Sequence, residues 1–133
     1  MPDDPRPSGL PLRLLVVEDE ESLREVTVEV LAKAGYWAVP AEDGAQAVAL
    51  FADAPESFAL VILDLSMPVM DGAECFQRLR ALRADVKVLL TSGYGNPGAV
   101  SGLDEALLAG YLRKPYRIAE LLGAVRAILD PPA

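Results

Sequence analysis

Phe58-Ala59-Leu60-Val61-Ile62-Leu63-Asp64, followed at once by Leu65-Ser66-Met67-Pro68-Val69-Met70-Asp71-Gly72, is the stretch that decides how this chain folds. An apolar run of that length between turn signals reads as a buried strand, and the Pro and Gly beyond it read as a loop. Asp64 then stands at the carboxyl end of a central strand, where open α/β sheets bind their ligands. A carboxylate placed only to cap a turn needs no fully apolar strand behind it. One that must meet a ligand gains a fixed, partly desolvated geometry from that support.

A second run, Leu12-Arg13-Leu14-Leu15-Val16-Val17, ends in Glu18-Asp19-Glu20-Glu21. If the two runs are neighbouring parallel strands, Glu18, Asp19 and Asp64 converge on one edge of the sheet. Three carboxylates repel one another unless a cation sits among them, and an all-oxygen site of this charge suits a hard ion such as Mg²⁺. The bland alternative makes residues 18–21 the acidic first turn of a helix, favoured by the helix dipole. Their pairing with Asp64 weighs against it.

Composition narrows the class. With 133 residues, 52% of them hydrophobic, the chain fits one domain able to bury a core. A net charge of -8 argues against nucleic acid or an anionic membrane as partner. The single cysteine, Cys75, cannot form an internal disulfide, which fits the cytoplasm. Histidine is absent, so this chain supplies no imidazole base, ligand or phosphohistidine. No apolar stretch is long and uncharged enough to span a bilayer, and residues 1–11, with four prolines, read as a flexible leader. Residues 12–130 are expected to form the domain and 131–133 a tail.

Elsewhere strands and helices alternate, which predicts an α/β sheet of parallel strands. A helix is expected over 22–34, stopped by Gly35, then a short strand at 37–39 and a helix opened by Asp43-Gly44 and closed near Pro55. Asp71 is expected to cap a helix running to Arg83. Strands follow at 86–90, ending at Thr91-Ser92-Gly93, and at 111–113. The Gly and Pro of 94–98 predict a loop and a late, short helix at 103–108, and an amphipathic helix is expected over 118–129.

These residues resemble the receiver domains of two-component response regulators. The resemblance runs from about residue 12 to 129. It rests on four motifs at strand ends: Val17-Glu18-Asp19-Glu20, Leu63-Asp64-Leu65-Ser66-Met67-Pro68 to Asp71-Gly72, Thr91-Ser92-Gly93, and Tyr111-Leu112-Arg113-Lys114-Pro115. It implies a flavodoxin-like (βα)5 three-layer sandwich with a five-stranded parallel sheet of order 2-1-3-4-5. Asp64 would accept a phosphoryl group from a histidine kinase, a phosphotransfer protein or a small phosphodonor. Asp19, Asp64 and the backbone carbonyl of Ser66 would bind Mg²⁺, with Glu18 holding a metal-bound water. Lys114 would be the ammonium paired first with the acceptor and then with phosphoryl oxygens, although a surface lysine is the bland reading. The Lys114-Pro115 bond would be cis. Thr91 would also contact the phosphoryl group, and Thr91 with Tyr111 would form the switch pair, against an ordinary strand-end threonine and edge-strand tyrosine.

The resemblance further implies a domain that catalyses only its own phosphorylation and dephosphorylation, signals to a downstream protein target, and is a monomer or weak dimer. Glu18 stands where aspartate is more usual, and small, polar Ser66 admits water toward the acyl phosphate. The stretch from Tyr94, with Leu108-Ala109-Gly110 and Lys114-Pro115-Tyr116, looks like receivers at the carboxyl end of hybrid sensor kinases. Three alternatives remain. A flavin binder needs a phosphate loop where this chain has acids. A haloacid dehalogenase-type phosphatase would have an aspartate in place of Ser66, and a pseudo-receiver would bind partners without being phosphorylated.

Overall fold

A computed structural model describes residues 12–65, 72–92 and 108–129. The expectations for the leader 1–11, Ser66, the Asp71 cap, Gly93, the 94–98 loop, all but the last residue of a helix at 103–108, and the tail 131–133 lie outside the described residues. Within them the chain runs β1 (Arg13–Val17), α1 (Glu21–Lys33), β2 (Trp37–Ala41), α2 (Gly44–Asp53), a 3₁₀ turn (Pro55–Ser57), β3 (Phe58–Asp64), α3 (Gly72–Leu82), β4 (Val88–Ser92), β5 (Gly110–Arg113) and α4 (Ile118–Leu129). The five strands are parallel in the order β2-β1-β3-β4-β5, the doubly wound order that places a switch point between β1 and β3.

Alternation along the central strands sends side chains into two separate cores. Leu15, Val17, Val61, Leu63 and Leu90 pack with Ala47 and Phe51 of α2 and Cys75, Phe76 and Leu79 of α3. Leu14, Val16, Leu60, Ile62 and Leu89 pack with Leu31 of α1 and Leu121 and Val125 of α4. This makes three layers, with the unbroken apolar runs Leu14–Val17 of β1 and Phe58–Leu63 of β3 explained by burial on both faces.

Local signals set most boundaries. Asp43 caps α2 by accepting from the Gln46 N–H at 2.7 Å. Gly35, at φ +101°, ends α1 in a conformation that other residues adopt at a cost. Two strands lie where sheet partners, not local pattern, put them. β2 runs through Pro40 to Ala41, tolerable because β2 is an edge strand. β4 begins two residues later than expected and includes Thr91 and Ser92, because its register with β3 pairs Val61 with Val88 and Asp64 with Thr91.

At the opposite end of the sheet from the acidic cluster, Arg13 at the start of β1 lies over the Trp37 and Phe58 rings, 5.1 and 4.4 Å from their centroids, and donates to Ser57 Oγ at 2.7 Å.

Candidate active site at the carboxyl edge of the sheet

The register carries the acids together. Val17 pairs with Leu63, so Glu18 and Asp64 follow at adjacent strand ends. Glu18, Asp19 and Asp64 each offer a carboxylate oxygen, all within 4.8 Å of one another. Glu18 and Asp64 are buried, at 5% and 3% exposure, while Asp19 faces solvent. The cluster therefore has a fixed floor and an open mouth.

The two buried acids are held in place by backbone hydrogen bonds at and next to them. The Glu18 N–H donates to Ala41 O at 3.1 Å, which extends the strand ladder by one residue, and the Glu20 N–H donates to Glu18 Oε2 at 3.1 Å. After Asp64 the Leu65 N–H donates to Thr91 O at 2.8 Å, and the Gly72 N–H donates to Leu65 O at 2.9 Å. A Cβ on Gly72 would lie 2.5 Å from the Leu65 Cα and 3.0 Å from Asp64 O, so only glycine lets α3 start this close to the strand end.

Lys114 closes the cluster from two strands away. Its N–H donates to Ser92 O at 2.7 Å, and its Nζ reaches back to Glu18 Oε1 at 2.8 Å and Asp64 Oδ2 at 3.3 Å. The side chain is 20% exposed, which rules out an ordinary surface lysine. Burial, the largest single influence, pushes its pKa down, but the Glu18 hydrogen bond and the charges of Asp64 and Glu18 together hold the ammonium above its ordinary value. The Lys114-Pro115 bond is cis, as expected.

Thr91 is buried beside Asp64 in the register. Tyr111 pairs with Leu90 whereas Thr91 pairs with Leu112, so strand alternation sends Thr91 and Tyr111 to opposite faces of the sheet. Tyr111 is 44% exposed, and its hydroxyl is hydrogen-bonded to the buried Ser92 Oγ. Ser66 lies outside the described residues.

Three side chains here escaped the sequence reading. Ser92 passed as part of a strand-end motif, and its partnership with Tyr111 exists only through the β4–β5 register. Arg24, on α1, donates from Nη1 to Glu18 O at 2.9 Å and lies 3.5 Å from Asp19 O. Its one sequence signal is a cation in the helix that follows the acids. Tyr116 joins Glu20, Leu23, Lys114 and Pro115 in lining a groove of about 270 Å³ beside the cluster, and burial raises its pKa above the usual tyrosine value. Cys75, by contrast, is core: burial pushes its thiol up to about 12, which leaves it inert.

The donor set fits a hard divalent cation. It is all oxygen, carries three carboxylates, and leaves Asp19 open to a hydrated ion.

Comparison with known proteins agrees with this geometry. The response regulator receiver domain family model matches residues 14–126. Response regulator MprA of Mycolicibacterium vanbaalenii is 39% identical over 122 residues, covering 90% of this chain and 51% of the relative. Sensor kinase CckA of Brucella abortus is 30% identical over 117 residues, covering 88% of this chain but 12% of the kinase. The chain thus spans about half the length of its MprA relatives. Among solved structures, response regulator TrrA of Thermotoga maritima, determined with Mg²⁺ and BeF, superposes with a TM-score of 0.77 at 33% identity, covering 88% of this chain and 98% of that one.

Proposed function

Since this chain belongs to the family of response regulator receiver domains, we propose that Asp64 is its phosphoacceptor and that the phosphoryl group comes from a phosphohistidine on a histidine kinase or phosphotransfer protein. One observation carries the assignment. Asp64 is buried at the end of β3, with Glu18 and Asp19 within 4.8 Å and the Lys114 ammonium 3.3 Å from its Oδ2.

An Asp64 carboxylate oxygen attacks phosphorus and forms the O–P bond. The P–N bond to the donor imidazole breaks and its electron pair returns to nitrogen; the ring, already protonated from solvent at its other nitrogen, leaves as neutral imidazole. Such transfer needs positioning and charge neutralisation more than covalent help. Glu18, Asp19 and Asp64, with the Ser66 carbonyl that the resemblance adds, would hold Mg²⁺, which when bound offsets negative charge on the phosphoryl oxygens. Lys114 offsets more of it, moving from the carboxylates to a phosphoryl oxygen. The Thr91 hydroxyl donates to another, and Tyr111, on the other face of the sheet, responds through the Thr91–Ser92 backbone by leaving its Ser92 partner.

The signal is then read by a downstream protein, a choice supported by the net charge of -8, which disfavours contact with nucleic acid phosphates. The likeness to both MprA and CckA is compatible with either neighbour in a longer chain, and the residue pattern from Tyr94 to Tyr116 favours a hybrid kinase. The proposed place of work is the cytoplasm. Among the described residues no helix is long and apolar enough to cross a membrane. The family match removes the ground for the dehalogenase-type phosphatase, and a pseudo-receiver would not become labelled.

The test is incubation with acetyl phosphate, followed by intact-mass measurement. Wild type should gain one phosphoryl group only with Mg²⁺ or Mn²⁺ present, and Asp64→Asn should gain none, because an amide does not attack phosphorus. Undiminished labelling of Asp64→Asn would sink the assignment.

A further inference from the structure

We infer that Arg24 is a positioning residue of the acidic pocket, clamping the backbone behind Glu18 and Asp19 so that their carboxylates face a divalent cation in a fixed geometry. The inference rests on the reading of this pocket as a Mg²⁺ site and assigns a role to a side chain outside the acid cluster and its lysine.

Glu18 and Asp19 lie where the chain leaves the sheet. The Glu18 N–H still bonds to Ala41, but the next residues turn into α1, so the strand ladder no longer defines the backbone there. Arg24 takes over from the helix side. It is anchored in the first turns of α1 by its own N–H to Glu20 O at 2.9 Å, and its Nη1 donates to Glu18 O at 2.9 Å with Asp19 O at 3.5 Å. A hydrogen bond from a charged donor is stronger than a neutral one, and a planar guanidinium fixes direction as well as distance.

The contrast with Lys114 gives the clamp its meaning. Lys114 bonds to carboxylate oxygens of Glu18 and Asp64, atoms that an incoming cation also needs. Arg24 bonds to carbonyl oxygens and takes none of those ligands. Its positive charge sits behind the acids and is compatible with both the empty and the filled pocket. Lys114 is a counter-ion that must give way, and Arg24 one that stays. Side chains that orient ligands in this manner govern metal affinity without touching the metal.

The experiment uses the full chain as wild type, Arg24→Met and Arg24→Lys, with far-UV circular dichroism to confirm the fold. Calorimetric Mg²⁺ titration should show Kd raised roughly tenfold or more in Arg24→Met. Arg24→Lys keeps the charge but loses the guanidinium's reach and planarity, and should fall between wild type and Arg24→Met. Without metal, the carbonyl ¹³C signals of Glu18 and Asp19 should shift in Arg24→Met beyond those of β3. An unchanged Kd in folded Arg24→Met, full recovery in Arg24→Lys, or unmoved carbonyl signals would overturn the clamp. If Arg24→Met does not fold, Arg24→Lys, which preserves the aliphatic stem, is read by the same two measurements. Wild type that binds no Mg²⁺ refutes the proposed function instead, while the metal-free carbonyl signals still decide whether Arg24 holds the backbone.

Discussion

β3 and β5 belong to one sheet, and β3 ends in Asp64 while β5 leads directly into Lys114, yet the two strands are built differently. β3 lies between two neighbours, is buried at every position but Ala59, and ends in the buried Asp64. β5 is an edge strand that alternates between half-buried and exposed, and the chain leaves it through Lys114, whose side chain crosses back to the acids. The central half supplies groups that must not move, because a ligand pocket gains from rigid support. The edge half supplies the groups proposed to respond to phosphorylation, and a strand with fewer packed neighbours gives such groups freedom to do so.

The sharpest way to break this comparison is to cut the link between the halves. Lys114→Ala should lower the rate of labelling by acetyl phosphate by roughly 100-fold, the usual cost of losing one charge-stabilising donor. Mass spectrometry against time measures it, and an unchanged rate would detach the edge half from the chemistry.

Stability gives a smaller but cleaner contrast. Leu63→Ala removes a fully buried side chain beside Asp64 and should cost about 2–5 kcal/mol, whereas Leu112→Ala, at a half-buried position of β5, should cost about 1 kcal/mol. Urea melts of the two variants compare them directly. Equal losses would show that the edge strand is packed as tightly as the centre.

The smallest effect concerns the hydroxyl pair. Ser92→Ala removes the partner of Tyr111 and should cost about 1 kcal/mol. It should also shift the Tyr111 ring resonances toward those of a freely rotating ring, and bring the metal-free spectrum closer to that obtained with a beryllofluoride mimic. Ring signals that stay in place would mean that packing, not Ser92, holds Tyr111.

The acid half was readable in advance because its signals are local. Six apolar residues before Asp64 and six residues 12–17 before Glu18 specify two buried strands whose ends must coincide if they pair in parallel, and they do. The α2 cap at Asp43, the stop at Gly35 and the span of α4 were readable for the same reason: caps, left-handed turns and helical periodicity act over a few residues. The edge half was less readable. The inner strand β4 beside it slid two residues from its expected start because register with β3 outweighed the local pattern, and Thr91 and Tyr111, expected from the resemblance as a switch pair, lie on opposite faces of the sheet.

Residue order alone therefore determined the alternation of strands and helices, the burial of β1 and β3, and the chemical identity of the acids, the lysine and the hydroxyls. Those properties follow from short-range sterics and hydrophobic periodicity. Only the tertiary structure decided that Lys114 spans from β5 to Glu18 and Asp64, that Ser92 holds Tyr111, and that Arg24 stands behind the pocket on the carbonyls of Glu18 and Asp19. Each of these contacts joins residues brought together by strand register or by the docking of a helix against a strand end, and no local preference of the chain encodes the distance between them.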